Sequence, residues 1–315
     1  MADFDVFNGD ADGIISLVQL RLAEPRDSQL VTGRKRDIEL LKRVDAEEGD
    51  RVTVLDVSLS KNREPLERIL GAGASVYYFD HHHADPIPKH PNLETFIDTS
   101  PEMCTALLVD DYLGEAYRAW AVTAAFGDNF PDLARSKCRH LDLPLEQLER
   151  LGMLINYNGY GADLSDLHFH PETLFRELVK YKTPMAFLED KTETYAALEA
   201  GYEADKAVMS GGDVIVETDT HYALVLPNLA ASRRMSGVHG NALAQANKTR
   251  AHAVLTQKEG GYLVSIRAPL SRRTGASELA MQFETGGGRE AAAGINHLAE
   301  RDLDRFLDAF KKSFG

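Results

Sequence analysis

The polar and apolar positions of the first hundred residues alternate between two periods. Phe4 to Phe7 is a short β-prone run, and Gly13 to Ala23 (GIISLVQLRLA) is apolar at helical spacing. Val52 to Leu55 reads as a strand. Glu64 to Leu70 reads as a helix that stops at Gly71 and Gly73. Ser75 to Phe79 and Glu94 to Ile97 read as two more strands. This alternation predicts βαβ units and a parallel sheet with right-handed crossovers. From about 102 to 205 the pattern is helical, in PEMCTALLVDDYLG, EAYRAWAVTAAFGDN, LPLEQLERLGMLI, PETLFRELVKY and TETYAALEAGYEADKAV. After Gly211-Gly212 the runs DVIVET, HYALVL, AHAVLTQ and YLVSIRA are β-like, with Gly260-Gly261 as a hairpin signal. SELAMQF and ERDLDRFLDAFKKSF are helical again. The expected architecture is α/β: a parallel-sheet, Rossmann-like domain over 1–190, a linker over 191–207 and a smaller α/β domain over 208–315.

Length and composition narrow this picture. The 315 residues, 43% of them hydrophobic, favour two cores over one. Mean hydropathy is −0.30, and no run approaches a membrane span. The start of the chain, MADFDVFNGDADG, predicts no secretion signal. Cys104 and Cys138 have no CxxC spacing, so neither a disulfide framework nor a thiolate zinc site is expected. The reading is a cytoplasmic protein, with no obligate protein partner inferred and a homodimer left open.

The net charge of −14 argues against a surface built to coat long nucleic acid. The charge is uneven, however. Residues 228–289 carry nine Lys/Arg against three acids, a local net of +6. That fits a pocket for a small anion, or a plain solvated basic face.

Chemistry gathers at strand ends, where open parallel sheets bind ligands. After DFDVF comes NGDADG, with Asp10 and Asp12. After RVTVL comes Asp56, and after SVYYF come Asp80, His81, His82 and His83. Asp128 follows the helix in AAFGDN. In an extended loop Asp10 and Asp12, two apart, point to the same side. So many carboxylates repel unless a cation sits among them. Oxygen donors with one or two imidazoles suit Mn²⁺, Mg²⁺ or Fe²⁺. Two such ions about 3.5–4 Å apart can clamp a phosphate.

FNGDADGI, VLDVS, FDHHH and AFGDN, in this order, resemble the four motifs of the DHH phosphoesterases. SIRAP, SELA and GGGREAAAG resemble that family's C-terminal substrate-binding domain, so the resemblance covers nearly the whole chain. It implies a hydrolase with two Mn²⁺ ions, Mg²⁺ being the alternative. Asp10 and Asp56 would hold one ion, and Asp12, Asp56, His81 and Asp128 the other. His82 would face the scissile phosphate, with Asp80 orienting His81. Substrate would be bound by Gly286, Gly287, Gly288 and Arg289, together with Arg267, Arg272 and Arg273 of the basic segment.

The chain departs from the family pattern twice. Val6 stands where some branches place a histidine, which implies a first ion held more weakly, or with Asn8 or a water in the histidine's place. Arg289 stands where many members place a histidine after the glycines, which implies binding and not proton transfer. Gly286-Gly287-Gly288 followed by AAAG can open a helix whose N–H groups bind phosphate.

For the substrate, the acidic charge and limited length favour short oligonucleotides or linear dinucleotides, such as linear diguanylate, cleaved to mononucleotides. A RecJ-like single-strand exonuclease, a phosphatase of nucleotide 3′,5′-bisphosphates and a non-catalytic dinucleotide sensor are the alternatives. Tyr157 and Tyr160 in NYNGYG could stack on bases, although a loop between helices is the favoured reading. In TSPEMCTALLVDDYL, residues 99–113, Met103 and Leu107 read as core. A reading in which Cys104 and Thr105 face substrate is the less favoured one.

Overall fold

The computed structural model describes residues 1–315 apart from Pro101 and Ser210. The chain forms two compact units, Met1–Ala200 and Gly201–Gly315. The division falls inside a helix, so the polar stretch read as a linker is helical.

The first unit opens with β1 (Asp3–Phe7), α1 (Ala11–Ala23), β2 (Gln29–Val31), β3 (Arg51–Leu55), α2 (Arg63–Gly71), β4 (Ser75–Asp80) and β5 (Leu93–Ile97). All five strands are parallel, in the order β2-β1-β3-β4-β5. The expected strands and crossovers are present. β2 was not anticipated, because three residues carry no periodic signal. The central strands β3 and β4 are mostly apolar and buried, as strands covered on both faces require, whereas the edge strands β2 and β5 are only partly covered. Phe4, Val6, Val52, Val54, Val76 and Tyr78 are buried in one core with Leu66 and Ile69 of α2.

The unit continues with α3 (Thr105–Tyr112), α4 (Arg118–Gly127), α5 (Pro131–Lys137), α6 (Leu145–Gly159), α7 (Pro171–Leu178) and α8 (Pro184–Glu189). Then α9 (Glu193–Met209) crosses the division. Pro101, which opens the first expected helical run, lies outside the described residues. Small residues let three of these helices meet closely. A Cβ on Gly127 would stand 2.5 Å from Ala11 Cβ and 2.7 Å from the Gly152 carbonyl, and one on Gly152 would stand 2.1 Å from the Thr123 carbonyl. The end of α4 is thereby pressed against the start of α1.

The second unit comprises β6 (Asp213–Glu217), β7 (His221–Leu226), α10 (Ala230–Ala246), β8 (Ala251–Lys258), β9 (Gly261–Arg267), α11 (Ala276–Ala280), β10 (Gly286–Gly288), β11 (Ala292–Ala299) and α12 (Leu303–Phe314). Its sheet runs β10-β11-β9-β8-β7-β6, antiparallel except for β7-β8, which α10 connects. The β8-β9 hairpin turns at Gly260, as expected. Phe306, Phe310 and Phe314, spaced at four, bury one face of α12 against the sheet.

The glycine-rich motif corrects an expectation. Gly286–Gly288 is an edge strand paired with β11, and no helix opens after it. AAGINHLA forms an eight-residue strand, half-buried and alternating at its start. Gly288 has φ 141°, and a Cβ there would meet Ala293 Cα at 2.5 Å, so the tight hairpin needs glycine for its own closure.

Among the described residues, no helix is long and apolar enough to cross a membrane.

Candidate metal and phosphate site

Asp10, Asp12, Asp56, Asp80, His81, His82 and Asp128 all belong to the first unit. Asp10 is the N-cap of α1, and its Oδ1 accepts the Gly13 N–H at 3.0 Å. Asp12 lies in the first helical turn, and not in the extended loop the sequence suggested, so the two carboxylates serve different neighbours. Both oxygens of Asp12 accept backbone N–H groups from the start of α3, from Thr105 and Ala106, each at 2.8 Å. The helix end thus faces a carboxylate, as its dipole favours.

Asp56 follows β3 with φ 58°, a left-handed conformation uncommon outside glycine. Its N–H donates to the Phe79 carbonyl at 3.0 Å, which ties the strained residue to the end of β4. The Thr105 hydroxyl donates to Asp56 Oδ1 at 3.1 Å. Asp128 caps the C-terminus of α4. An acid is disfavoured at that end of a helix, so its place there points to a cation nearby.

His81 shows what the cluster holds. Its Nδ1 lies 2.8 Å from the Met103 carbonyl, which can only accept, so Nδ1 carries the proton. Nε2 then presents a lone pair. It lies 3.4 Å from Asp56 Oδ1, 3.7 Å from Asp128 Oδ2 and 3.8 Å from Asp12 Oδ2. Four acceptor atoms from four segments converge, and all four side chains are buried. Such a set is stable around a cation and repulsive without one. In each of two groups, Asp12-His81-Asp128 and Asp56-His81-His82, the ligand atoms lie within 4.8 Å of one another. Burial first, and neighbouring carboxylates after it, push Asp12 and Asp56 upward from the ordinary carboxylate value. The donor set therefore fits a divalent ion that accepts oxygen and imidazole.

His82 and Asp80 form a separate pair, which corrects the role given to Asp80. Asp80 does not orient His81, which the Met103 carbonyl does. It accepts a hydrogen bond from His82 Nδ1 at 2.7 Å. Asp80 ends β4, and His82, two residues further on, folds back to it. Burial alone would lower the His82 imidazole, but Asp80 and Asp56 outweigh it and the net shift is upward. Asp80 is correspondingly held below its usual range, the His82 charge offsetting its burial.

Sequence reasoning missed Lys35. Its ammonium donates to Asp10 Oδ2 at 2.5 Å, Asn156 Oδ1 at 3.0 Å and Asp128 Oδ1 at 3.3 Å. A lysine in a loop without periodicity gives no signal beyond its charge. NYNGYG, favoured as a loop, is the end of α6 and delivers Asn156. Tyr157 is fully buried, with its hydroxyl 2.7 Å from His168 Nε2, and so cannot stack on a base. Cys104 is buried, and burial pushes its thiol up. Thr105 serves Asp56 and Asp12. His83 is exposed.

The basic candidates belong to the second unit. Arg267 is buried, donating to Asn241 Oδ1, Ser265 Oγ and the carbonyls of Ile266 and Gly237. It holds β9 to α10. Arg234 is paired with Asp205 at 2.6 Å. Arg272, Arg273 and Arg289 are exposed, and Arg289 turns the β10-β11 hairpin by backbone bonds with Ala292.

No protein-family model matches the chain, and no curated protein sequence matches it. Solved structures do. A DHH-domain member of the s1p family of ribosomal proteins superposes with TM-score 0.67 at 13% identity, covering 99% of this chain and 86% of that one. Exonuclease RecJ bound to manganese gives 0.61 at 16%, covering 99% and 89%. A pGpG-specific phosphodiesterase, PggH, from Vibrio cholerae gives 0.57 at 17%, covering 99% and 100%. The chain has the fold of the DHH-domain proteins.

Proposed function

We propose that the protein is a metal-dependent phosphoesterase that hydrolyses short oligonucleotides or linear dinucleotides, such as linear diguanylate, to mononucleotides. The observation that carries this reading is the convergence of His81 Nε2 with Asp12, Asp56 and Asp128, beside a His82 held by Asp80. Those four residues would hold the ion, Mn²⁺ by preference and Mg²⁺ as the alternative. A divalent ion there supplies fixed positive charge that draws a phosphate and eases ionisation of water.

The chain's own residues do the rest. Asp80 fixes the His82 ring and favours its charged form, leaving a proton on Nε2 for the phosphate or the departing oxygen. Thr105 and the start of α3 hold Asp56 and Asp12 against movement. The cluster is buried, which strengthens the charge interactions within it. Arg289, Arg272 and Arg273 supply the anion-binding side chains of the second unit. Arg267 is left out of that set because its donors are spent on its own fold.

The preference for a short substrate is supported by charge and by the likeness to PggH. The chain covers 100% of PggH, a pGpG-specific phosphodiesterase. An acidic chain, with a net charge of −14, suits a substrate with few charges. Incubation of linear diguanylate with protein and Mn²⁺ tests the proposal: chromatography should show guanosine monophosphate accumulating. Intact dinucleotide in the presence of each divalent ion would refute it.

A further inference from the structure

We infer that Lys35 takes the place of one metal ion in this site, so that the protein binds a single divalent cation; the inference rests on the metal-dependent reading above. Asp10 is the carboxylate expected to share the other ion with Asp56. Its Oδ2 is instead held by a cation, the Lys35 ammonium at 2.5 Å, whereas among the described residues Asp12 and Asp56 accept only from uncharged donors; its Oδ1 accepts the Gly13 N–H at 3.0 Å. It enters neither group of converging ligand atoms, whereas Asp12, Asp56, His81, His82 and Asp128 do.

The lysine is built into its position. Its own N–H donates to the Gly159 carbonyl at 3.0 Å, anchoring the loop to the end of α6. Next to it, the Arg34 N–H donates to Asp37 Oδ2 at 2.9 Å, and the Asp37 N–H returns a bond to the Arg34 carbonyl at 2.9 Å. Gly159 is crowded against the loop that carries Asp10, since a Cβ on it would stand 2.6 Å from the Gly9 carbonyl. Loop, helix end and Asp10 are therefore packed as one piece.

The ammonium has three oxygen acceptors for its three protons, from Asp10, Asn156 and Asp128, and the Tyr160 ring lies 5.4 Å from it. Three acceptors around one nitrogen satisfy a lysine completely. A second ion bound to Asp10 would have to displace this cation. A lysine also contributes its charge at any metal concentration, which a weakly held ion does not.

The test counts ions. Wild-type protein, Lys35→Met and Lys35→Arg are freed of metal and titrated with Mn²⁺ by isothermal calorimetry. Bound Mn²⁺ is also followed by electron paramagnetic resonance, in which two neighbouring ions couple and one gives an isolated signal. Far-ultraviolet circular dichroism checks that each variant is folded. The expected result is one ion in wild type and in Lys35→Arg, and two coupled ions in Lys35→Met. Two coupled ions in wild type would overturn the inference while leaving the metal-dependent reading intact. One ion in both wild type and Lys35→Met would also overturn it, because the lysine would then exclude nothing. No bound Mn²⁺ in any form would remove the metal-dependent reading itself. Asp10→Asn gives an independent check: it should keep one ion with affinity within about threefold of wild type, and loss of that ion would make Asp10 a ligand after all.

Discussion

Replacing Asp80 with Asn removes one charge and keeps the side chain's shape. Asp80 is fully buried and accepts from His82 Nδ1 at 2.7 Å, so the bond is short and shielded. A hydrogen bond to a charged group contributes about 1.5–3 kcal/mol, against about 0.5–1.5 for a neutral one. The variant should therefore lose about 1–2 kcal/mol of support for the charged ring, which is roughly a 5- to 30-fold loss of rate if His82 serves the transition state. The assay compares kcat/KM on a linear dinucleotide with kcat/KM on a nitrophenyl phosphodiester. The nitrophenolate leaves without needing a proton. A loss confined mainly to the dinucleotide is expected, because the His82 proton then matters at the departing oxygen. An equal loss on both substrates would place His82 at the phosphate alone. Wild-type rates on both would refute the Asp80–His82 reasoning altogether.

Other expectations bear on the rest of the molecule. Arg289→Ala should raise KM more than it lowers kcat, since binding and not proton transfer is its assigned role; a pure kcat defect in steady-state kinetics would contradict this. Thr105→Val leaves the buried Asp56 Oδ1 without its hydroxyl donor, so urea denaturation should show a loss of about 1–3 kcal/mol. Gly152→Ala puts a methyl 2.1 Å from the Thr123 carbonyl and must push α4 and α6 apart, costing about 1–3 kcal/mol or more in the same experiment. In the second unit, burial, with Arg250 and His239 nearby, lowers His252 to about 4. Its neutral form is the one the fold accepts, so its stabilising contribution is complete above about pH 6.5 and is lost as pH falls toward 4. The gap corresponds to about 3 kcal/mol. His252→Phe should flatten the acid side of the stability profile by that amount, and an unchanged profile would show that the group is not the source.

The site was legible where chemistry follows period. β1, β3 and β4 announce themselves as apolar runs, and the acids after them could be placed at one sheet edge from topology alone. What escaped had other causes. Lys35 reaches the site from a loop, and charge without periodicity says nothing about direction. The Met103 carbonyl that fixes the His81 proton is backbone, which sequence cannot mark. Asp12 was misplaced because the helix starts at Ala11, before the apolar spacing begins, with Asp10 as its cap. α10 was not anticipated, since its glycines, serines and arginines weaken the helical pattern over a span that packs well on β8 and β9. GGG followed by alanines has helical propensity on paper, but strand pairing with β11 overrides it.

The central claim is that the buried carboxylate and imidazole cluster makes this protein a phosphoesterase for short nucleic acids. It is tested most directly by a turnover panel with purified protein and Mn²⁺. The panel would span linear diguanylate and diadenylate, RNA and DNA of two to about 24 nucleotides, an adenosine 3′,5′-bisphosphate and pyrophosphate. Mononucleotide release from the dinucleotides is expected, with rates falling steeply as the chain lengthens and no turnover in Asp56→Ala. Cleavage of the longest strands at equal or higher rate, or undiminished turnover in Asp56→Ala, would contradict the claim.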